Sequence, residues 1–163
     1  MGQDYTKHNL LFISKYPEII HEFTDAMKDR DIEIETAING IEAAAKIKKK
    51  NYDVVITGLS LEGYNGEQII TYLNKTAPST VCIIYTTTIS SAQLHFFINE
   101  RNVFRVFLRP VDFRGAFWEA LEEAYEYHAV QVKNEEDTGA RRQEQEKQER
   151  EIEIMDQRIR SQR

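Results

Sequence analysis

From Leu10 to Ala124 the chain switches repeatedly between two hydrophobic periods. Short runs of branched apolar residues read as buried strands, and stretches with apolar residues three and four apart read as helices packed on them. Leu10 to Ser14 is the first such run, and Ile19, Ile20, Phe23 and Met27 mark the helix after it. Ile32 to Ala37 predicts a second strand, and Ile41 to Lys50 a helix begun at Gly40 with Ile41, Ala44, Ala45 and Ile47 as its apolar positions. Asp53 to Thr57 comes third, before a helix carrying Ile69, Ile70 and Leu73. Val81 to Thr86, a helix over Ala92 to Glu100 and a strand over Phe104 to Leu108 complete the alternation. From Asp112 onward Phe117, Ala120, Leu121 and Ala124 share one helical face. Strands alternating with helices predict parallel βαβ units with right-handed crossovers, hence an α/β fold with a doubly wound, five-stranded parallel sheet. Such a sheet builds its site at the carboxyl ends of its strands, and Gly58 stands at that place after the third one.

The runs L-L-F-I-S-K-Y-P-E-I (10 to 19), Tyr52 to Gly66, C-I-I-Y-T-T (82 to 87) and I-N-E-R-N-V-F-R-V-F-L-R-P-V-D (98 to 112) resemble the response-regulator receiver domain over Asn9 to Val132. The last run looks most like receivers joined to HD-GYP, diguanylate cyclase or kinase modules. The resemblance implies a flavodoxin-like strand order of 2-1-3-4-5. It divides the chain into an N-terminal tail (1 to 8), a receiver-like domain (9 to 132) and a charged linker or signalling helix (133 to 163).

Carried over residue by residue, the resemblance implies a degenerate site. The two adjacent acids that hold Mg²⁺ in the family fall on Ser14 and Lys15, and its phosphate-accepting Asp falls on Gly58. The hydroxyl residue closing the fourth strand is kept as Thr86, while the Lys before a Pro becomes Arg109, before Pro110. The aromatic that switches on the fifth strand falls on Val106. Phosphoryl transfer to a receiver needs a carboxylate nucleophile and a divalent cation, and Mg²⁺ needs hard oxygen ligands. Three acids replaced by Ser, Lys and Gly turn the pocket from anionic to cationic, so the expectation is no metal, no cofactor and no catalysis. No nucleophile and base pair appears elsewhere to suggest an enzyme. Asp53 lies about 16 Å from Gly58 at strand rise and reads as a structural residue. Glu62 reads as a surface residue or a partner of Lys15. The Lys15 stem either covers the pocket mouth with its ammonium in water, or the ammonium fills the vacated metal position, held by carbonyls or Glu62.

Composition narrows the partners. The 163 residues suit one domain plus an extension, with 41% hydrophobic residues and a net charge of −6 that disfavours nonspecific nucleic-acid binding. The basic run Lys46 to Lys50 suits a helix end. The lone Cys82 sits in an apolar run, permits no intrachain disulfide and suggests a reducing compartment. His8, His21, His95 and His128 lack metal-site spacing and read as ordinary surface or packing residues. No apolar run reaches membrane-spanning length and no signal peptide is evident, so the expected location is cytoplasmic. Met1 to Thr6 fits a myristoylation pattern at Gly2, which reads as accidental.

Asn134 to Arg163 holds nine acids and seven bases and no aromatic. Glu146 with Arg150, and Asp156 with Arg160, are spaced for helical ion pairs. Ile152, Met155 and Ile159 give the spacing of a coiled-coil seam, and Gly139 is a candidate break in the helix. A partly disordered charged tail is the other reading. With no helix terminator before Arg163, the natural protein is expected to continue into an output domain.

These observations together predict a phosphorylation-independent module that acts by protein–protein interaction, its partners a second copy of itself and a signalling protein or output domain. Trp118, Glu122 and Tyr125 form the expected exposed stripe of the last receiver helix. By resemblance Phe97, Arg101 and Arg105 lie beside it, giving a constitutive homodimer face. The alternative is a flavodoxin-like domain binding an anion or small molecule over Lys15, Thr86 and Arg109.

Overall fold

The computed structural model describes residues 8–161. Its elements run β1 (His8–Ile13), α1 (Pro17–Met27), β2 (Ile32–Ala37), α2 (Gly40–Lys49), β3 (Val54–Thr57), α3 (Gly66–Thr76), β4 (Val81–Thr86), α4 (Ser91–Glu100), β5 (Val103–Leu108) and α5 (Ala116–Ser161). All four strand pairings are parallel and the order is β2-β1-β3-β4-β5, the order the family resemblance implies. The chain separates into two compact units, one ending at His128 and one beginning at Ala129.

In the first unit the pleat sends alternate residues to opposite faces. Leu10, Phe12, Val54, Ile56, Val81, Ile83 and Tyr85 join Phe23, Phe113 and Phe117 in one core, under α1 and the start of α5. Leu11, Ile13, Val55, Cys82 and Ile84 join Ile47, Ile70, Leu73 and Phe97 in the other, under α2, α3 and α4. The first core is an aromatic cluster: Phe12 stacks on Phe23 at 4.2 Å, and Phe113 meets Phe23 edge-on at 5.2 Å. Each such pair adds about 1 kcal/mol beyond area burial. In the second core, burial pushes the Cys82 thiol up to about 12, which leaves it an inert hydrophobe.

Helix ends follow local chemistry. Asn65 and Gln68 form a reciprocal capping box on α3, as do Ser90 and Gln93 on α4. Asn39 caps α2, and Pro17 opens α1 without needing the N–H it lacks.

Two sequence expectations are corrected. On α2 the buried residues are Gly40, Ala43 and Ile47, whereas Ile41 is 63% exposed and Ala45 also faces water. Three consecutive alanines leave the helical phase open, and the small face, not the Ile41 face, meets the sheet. Gly139 does not break the last helix, because α5 runs through it. In the second unit Asp156 pairs with Arg160 at 3.2 Å, while the Arg150 guanidinium donates to the Glu146 carbonyl instead of its carboxylate. Ile152, Met155 and Ile159 are exposed there. The myristoylation match at Gly2 and the terminal Arg163 lie outside the described residues.

At the amino ends of the strands Asp53 organises a polar clamp. The Asn9 N–H donates to its Oδ2 at 3.3 Å, and His128 Nε2 lies 3.1 Å from its Oδ1. His128 Nδ1 lies 2.8 Å from the Ser79 carbonyl, and the Tyr125 hydroxyl donates to the Asn9 carbonyl at 2.9 Å. Each ring nitrogen of His128 thus faces an oxygen, one of the Asp53 carboxylate and one of the Ser79 carbonyl. The clamp is therefore more than ordinary packing, the role expected for His128 from sequence. Burial pushes the Asp53 carboxyl up, but bonds from His128 and Asn9 and the charges of His128 and His8 outweigh it and hold the group below its ordinary value. Its stabilisation is then complete above the unfolded carboxyl range near 3.8 and is lost as pH falls through the lower folded value. Asp53→Asn should lower stability at neutral pH by about 2 kcal/mol. The gap in thermal midpoint between wild type and variant should close on acidification below pH 3.8, as read by circular dichroism.

Candidate functional site

The site sits where β1, β3, β4 and β5 end. Strand geometry carries Ser14 and Lys15 off β1, Gly58 off β3, Thr86 to the last position of β4 and Arg109 off β5. These five residues line one cleft with Tyr16, Leu59, Ser60, Tyr85 and Thr87, and its cavity volume is about 90 Å³. No carboxylate lines it.

Its two cations are tethered. The Lys15 ammonium donates to the Ser60 hydroxyl at 3.3 Å and lies 5.2 Å from the Tyr16 ring centre, and the Arg109 guanidinium lies 4.7 Å from that same ring. Cation–π contacts of this kind contribute about 0.5–1 kcal/mol at exposed sites. Lys15 thus binds the loop after β3 through Ser60, and neither Glu62 nor a backbone carbonyl holds it. Glu62 instead offers its carbonyl to the Gly40 N–H at 2.8 Å. The Ser14 hydroxyl is occupied by the Tyr16 N–H at 3.2 Å, and the Thr86 hydroxyl turns to the Thr88 carbonyl at 3.3 Å. The Arg109 N–H bonds the Thr86 carbonyl at 2.8 Å, just before a cis peptide to Pro110. On β5 Val106 is half-buried against the second core.

Gly58 is glycine for no backbone reason. A Cβ built there meets nothing closer than the Tyr85 carbonyl oxygen at 3.8 Å. Gly66 is the opposite: a Cβ would lie 2.1 Å from the Gly58 carbonyl oxygen, because α3 begins directly against the end of β3. The backbone at Gly58 leaves room for a Cβ, whereas that at Gly66 does not.

Tyr16 is the site residue that sequence reasoning passed over. It adjoins Lys15, but only the fold brings Arg109 to its ring. Ser60 was missed likewise, since nothing local pairs it with Lys15 across 45 positions.

The expected dimer face does not form as one surface. Phe97 is buried at 3% exposure and Tyr125 at 7%, each inside a core. Trp118 is half-buried with the Arg30 guanidinium 4.2 Å from its ring, on the side of α1. Arg101 stacks on Phe96 at 4.7 Å and donates to the Thr71 hydroxyl at 3.2 Å, towards α3. Of the six residues only Glu122 and Arg105 are exposed. Arg105 pairs with Glu123 at 3.0 Å, and Phe104 meets Tyr127 at 5.2 Å. The α5 stripe beside β5 is therefore Glu123 and Tyr127, one position round from the expected one, because Tyr125 is drawn in by its bond to Asn9.

The response regulator receiver domain family model matches residues 11–117. No curated protein matches the chain by sequence. Among solved structures, the signal receiver domain of an HD domain-containing protein from Pseudomonas fluorescens Pf-5 is 19% identical with a TM-score of 0.71, covering 76% of this chain and 98% of that one. A receiver domain protein from Methanospirillum hungatei JF-1 is 18% identical with a TM-score of 0.69, over 77% and 99% of the two chains. An adenylate cyclase from Rhodopirellula baltica is 20% identical with a TM-score of 0.73, over 80% and 96%. At these identities the likeness is one of fold.

Gly58→Asp should leave the thermal midpoint within about a degree of wild type. Gly66→Ala should lower it by several degrees, as overpacking against backbone costs about 1–3 kcal/mol. Scanning calorimetry checks both, and equal effects at the two positions would contradict the steric contrast.

Proposed function

Because the chain belongs to the response regulator receiver domain family, we propose that it is a phosphorylation-independent signalling module that works by protein–protein interaction and dimerisation. One observation carries this reading: the strand-end cleft presents Ser14, Lys15 and Gly58 where phosphoryl chemistry needs carboxylates, and no acid lines it. Without a carboxylate there is neither a nucleophile for the phosphoryl group nor a ligand set for Mg²⁺. Lys15 and Arg109 provide standing positive charge there, so the domain is held in one electrostatic state.

The interaction surface is the one left exposed beside β5. Leu94 and Ile98 on α4, Leu108 on β5 and Tyr127 on α5 are each 40–50% exposed. Exposed apolar side chains on these neighbouring elements support an association surface there. Within the second unit, the exposed Ile152, Met155 and Ile159 supply a short coiled-coil seam. The helix over Asn134 to Ser161 serves in this reading as the connection to an output domain or partner protein. No helix among the described residues is long and apolar enough to cross a membrane.

A second reading, an oxyanion receptor in the cleft, is favoured by the tethering of Lys15 and Arg109 around Tyr16. At about 90 Å³ the cleft falls below the roughly 300 Å³ at which small-molecule pockets begin, so its ligand is an ion such as phosphate. Calorimetric titration should then give saturable heat that disappears in Arg109→Ala, and no heat with either protein removes this reading.

For the primary reading, light scattering at micromolar concentration should report about twice the chain mass, and Leu108→Glu with Tyr127→Glu should halve it. A small phosphodonor with Mg²⁺ should change neither mass nor oligomer. A stable acyl phosphate would falsify phosphorylation independence, and a wild-type monomer would remove the dimer.

A further inference from the structure

On the far side of the molecule's second core, α2 and α3 stand apart over a concave pocket of about 330 Å³, lined by Ala44, Lys48, Tyr64, Gln68, Ile69 and Tyr72. That volume lies within the range of small-molecule sites, unlike the strand-end cleft. Two facing stripes of residues build it. Gly40, Ala44 and Lys48 are four apart on α2, Gln68 and Tyr72 are four apart on α3, and Tyr64 comes from the loop just before the Asn65 cap of α3.

The stripes meet at one end only. A Cβ on Gly40 would lie 1.8 Å from the Tyr64 carbonyl oxygen, so the backbones touch there. One turn on, Ala44 offers a methyl where a larger residue would close the gap. Tyr64 and Tyr72, 48% and 36% exposed, line it together with the buried Ile69 and the half-buried Ala44. Two aromatic side chains beside aliphatic ones suit a flat apolar body.

Beside the two tyrosine hydroxyls, the polar groups of the lining are Lys48 and Gln68, and both offer donors. Lys48 makes no hydrogen bond or ion pair with any described residue. The Gln68 Oε1 is already taken by the Asn65 N–H at 3.0 Å, which leaves its amide NH₂. An ammonium and an amide NH₂ in the lining of an aromatic pocket select an anionic acceptor, and an ammonium with carboxylate makes a charge-assisted bond.

We propose that the α2–α3 pocket is a binding site for a planar aromatic carboxylate, its ring lying between Tyr64 and Tyr72 and its carboxylate on Lys48 and Gln68. The site is separate from the strand-end cleft and from the α4–β5–α5 surface, so it stands whether or not the chain dimerises.

The test is titration of the full chain with 2-naphthoate, followed through the tyrosine ring signals by NMR. Saturable binding that shifts Tyr64 and Tyr72 is expected. Ala44→Leu, which fills the pocket, and Tyr72→Ala, which removes an exposed wall, should each weaken it at least tenfold. Lys48→Gln should weaken 2-naphthoate about tenfold, the scale of one charge-assisted bond. In wild type, 2-naphthamide should bind as weakly as 2-naphthoate binds that variant. Lys49→Gln, outside the pocket, should change nothing. Absence of saturation by roughly 10 mM overturns the site. Undiminished binding by folded Ala44→Leu and Tyr72→Ala places the ligand elsewhere and overturns it too, and equal affinity for acid and amide overturns the carboxylate.

Discussion

Burial of β1, β3 and β4 on both faces is the constraint from which the rest of this structure follows. A strand with no solvent face cannot carry polar side chains along its length, so Leu10 to Ile13, Val54 to Ile56 and Val81 to Tyr85 are apolar throughout and buried. Polar function is pushed to the strand ends. The amino ends gather Asn9, Asp53 and, from α5, His128; the carboxyl ends gather Ser14, Lys15, Thr86 and Arg109. The two ends have opposite characters. One centres on a partly buried carboxylate surrounded by donors, and the other holds two cations in a cleft that no carboxylate lines.

That polarity sets the electrostatics of the cleft. Two like charges at one mouth repel unless something lies between them or draws each aside. Tyr16 offers its ring to both, and Ser60 takes the Lys15 ammonium. The shared aromatic face draws the loops after β1 and β5 towards one another.

The strands were legible because a doubly buried parallel strand leaves a continuous apolar run with clear ends, and β2 and β4 fall on the residues expected. The helix faces were less so. On α2 the sequence A-A-A erases the phase, and the exposed Ile41 drew the expected stripe towards itself. On α4 Phe97 was expected on the exposed interaction face, yet of two adjacent phenylalanines it is the one that turns inward. Tyr125 shows a third obstacle: its periodicity suits exposure, but a hydroxyl acceptor on β1, 116 residues earlier, brings it in. The five cleft residues were placed by the resemblance, whereas Tyr16 and Ser60 depend on contacts between loops that no local pattern encodes.

Gly139 has a consequence of a mechanical kind. It lies within α5, and a Cβ there would meet nothing within 4 Å, so no packing holds its backbone. Between Asn134 and Glu151 the only apolar residue is Ala140. Helicity in that stretch rests on backbone bonds and exposed polar pairs, and glycine costs about 1 kcal/mol there relative to alanine. Gly139 is therefore the point of lowest intrinsic helicity in that stretch. Within that stretch bending is easiest at Gly139, where no side chain restricts the backbone.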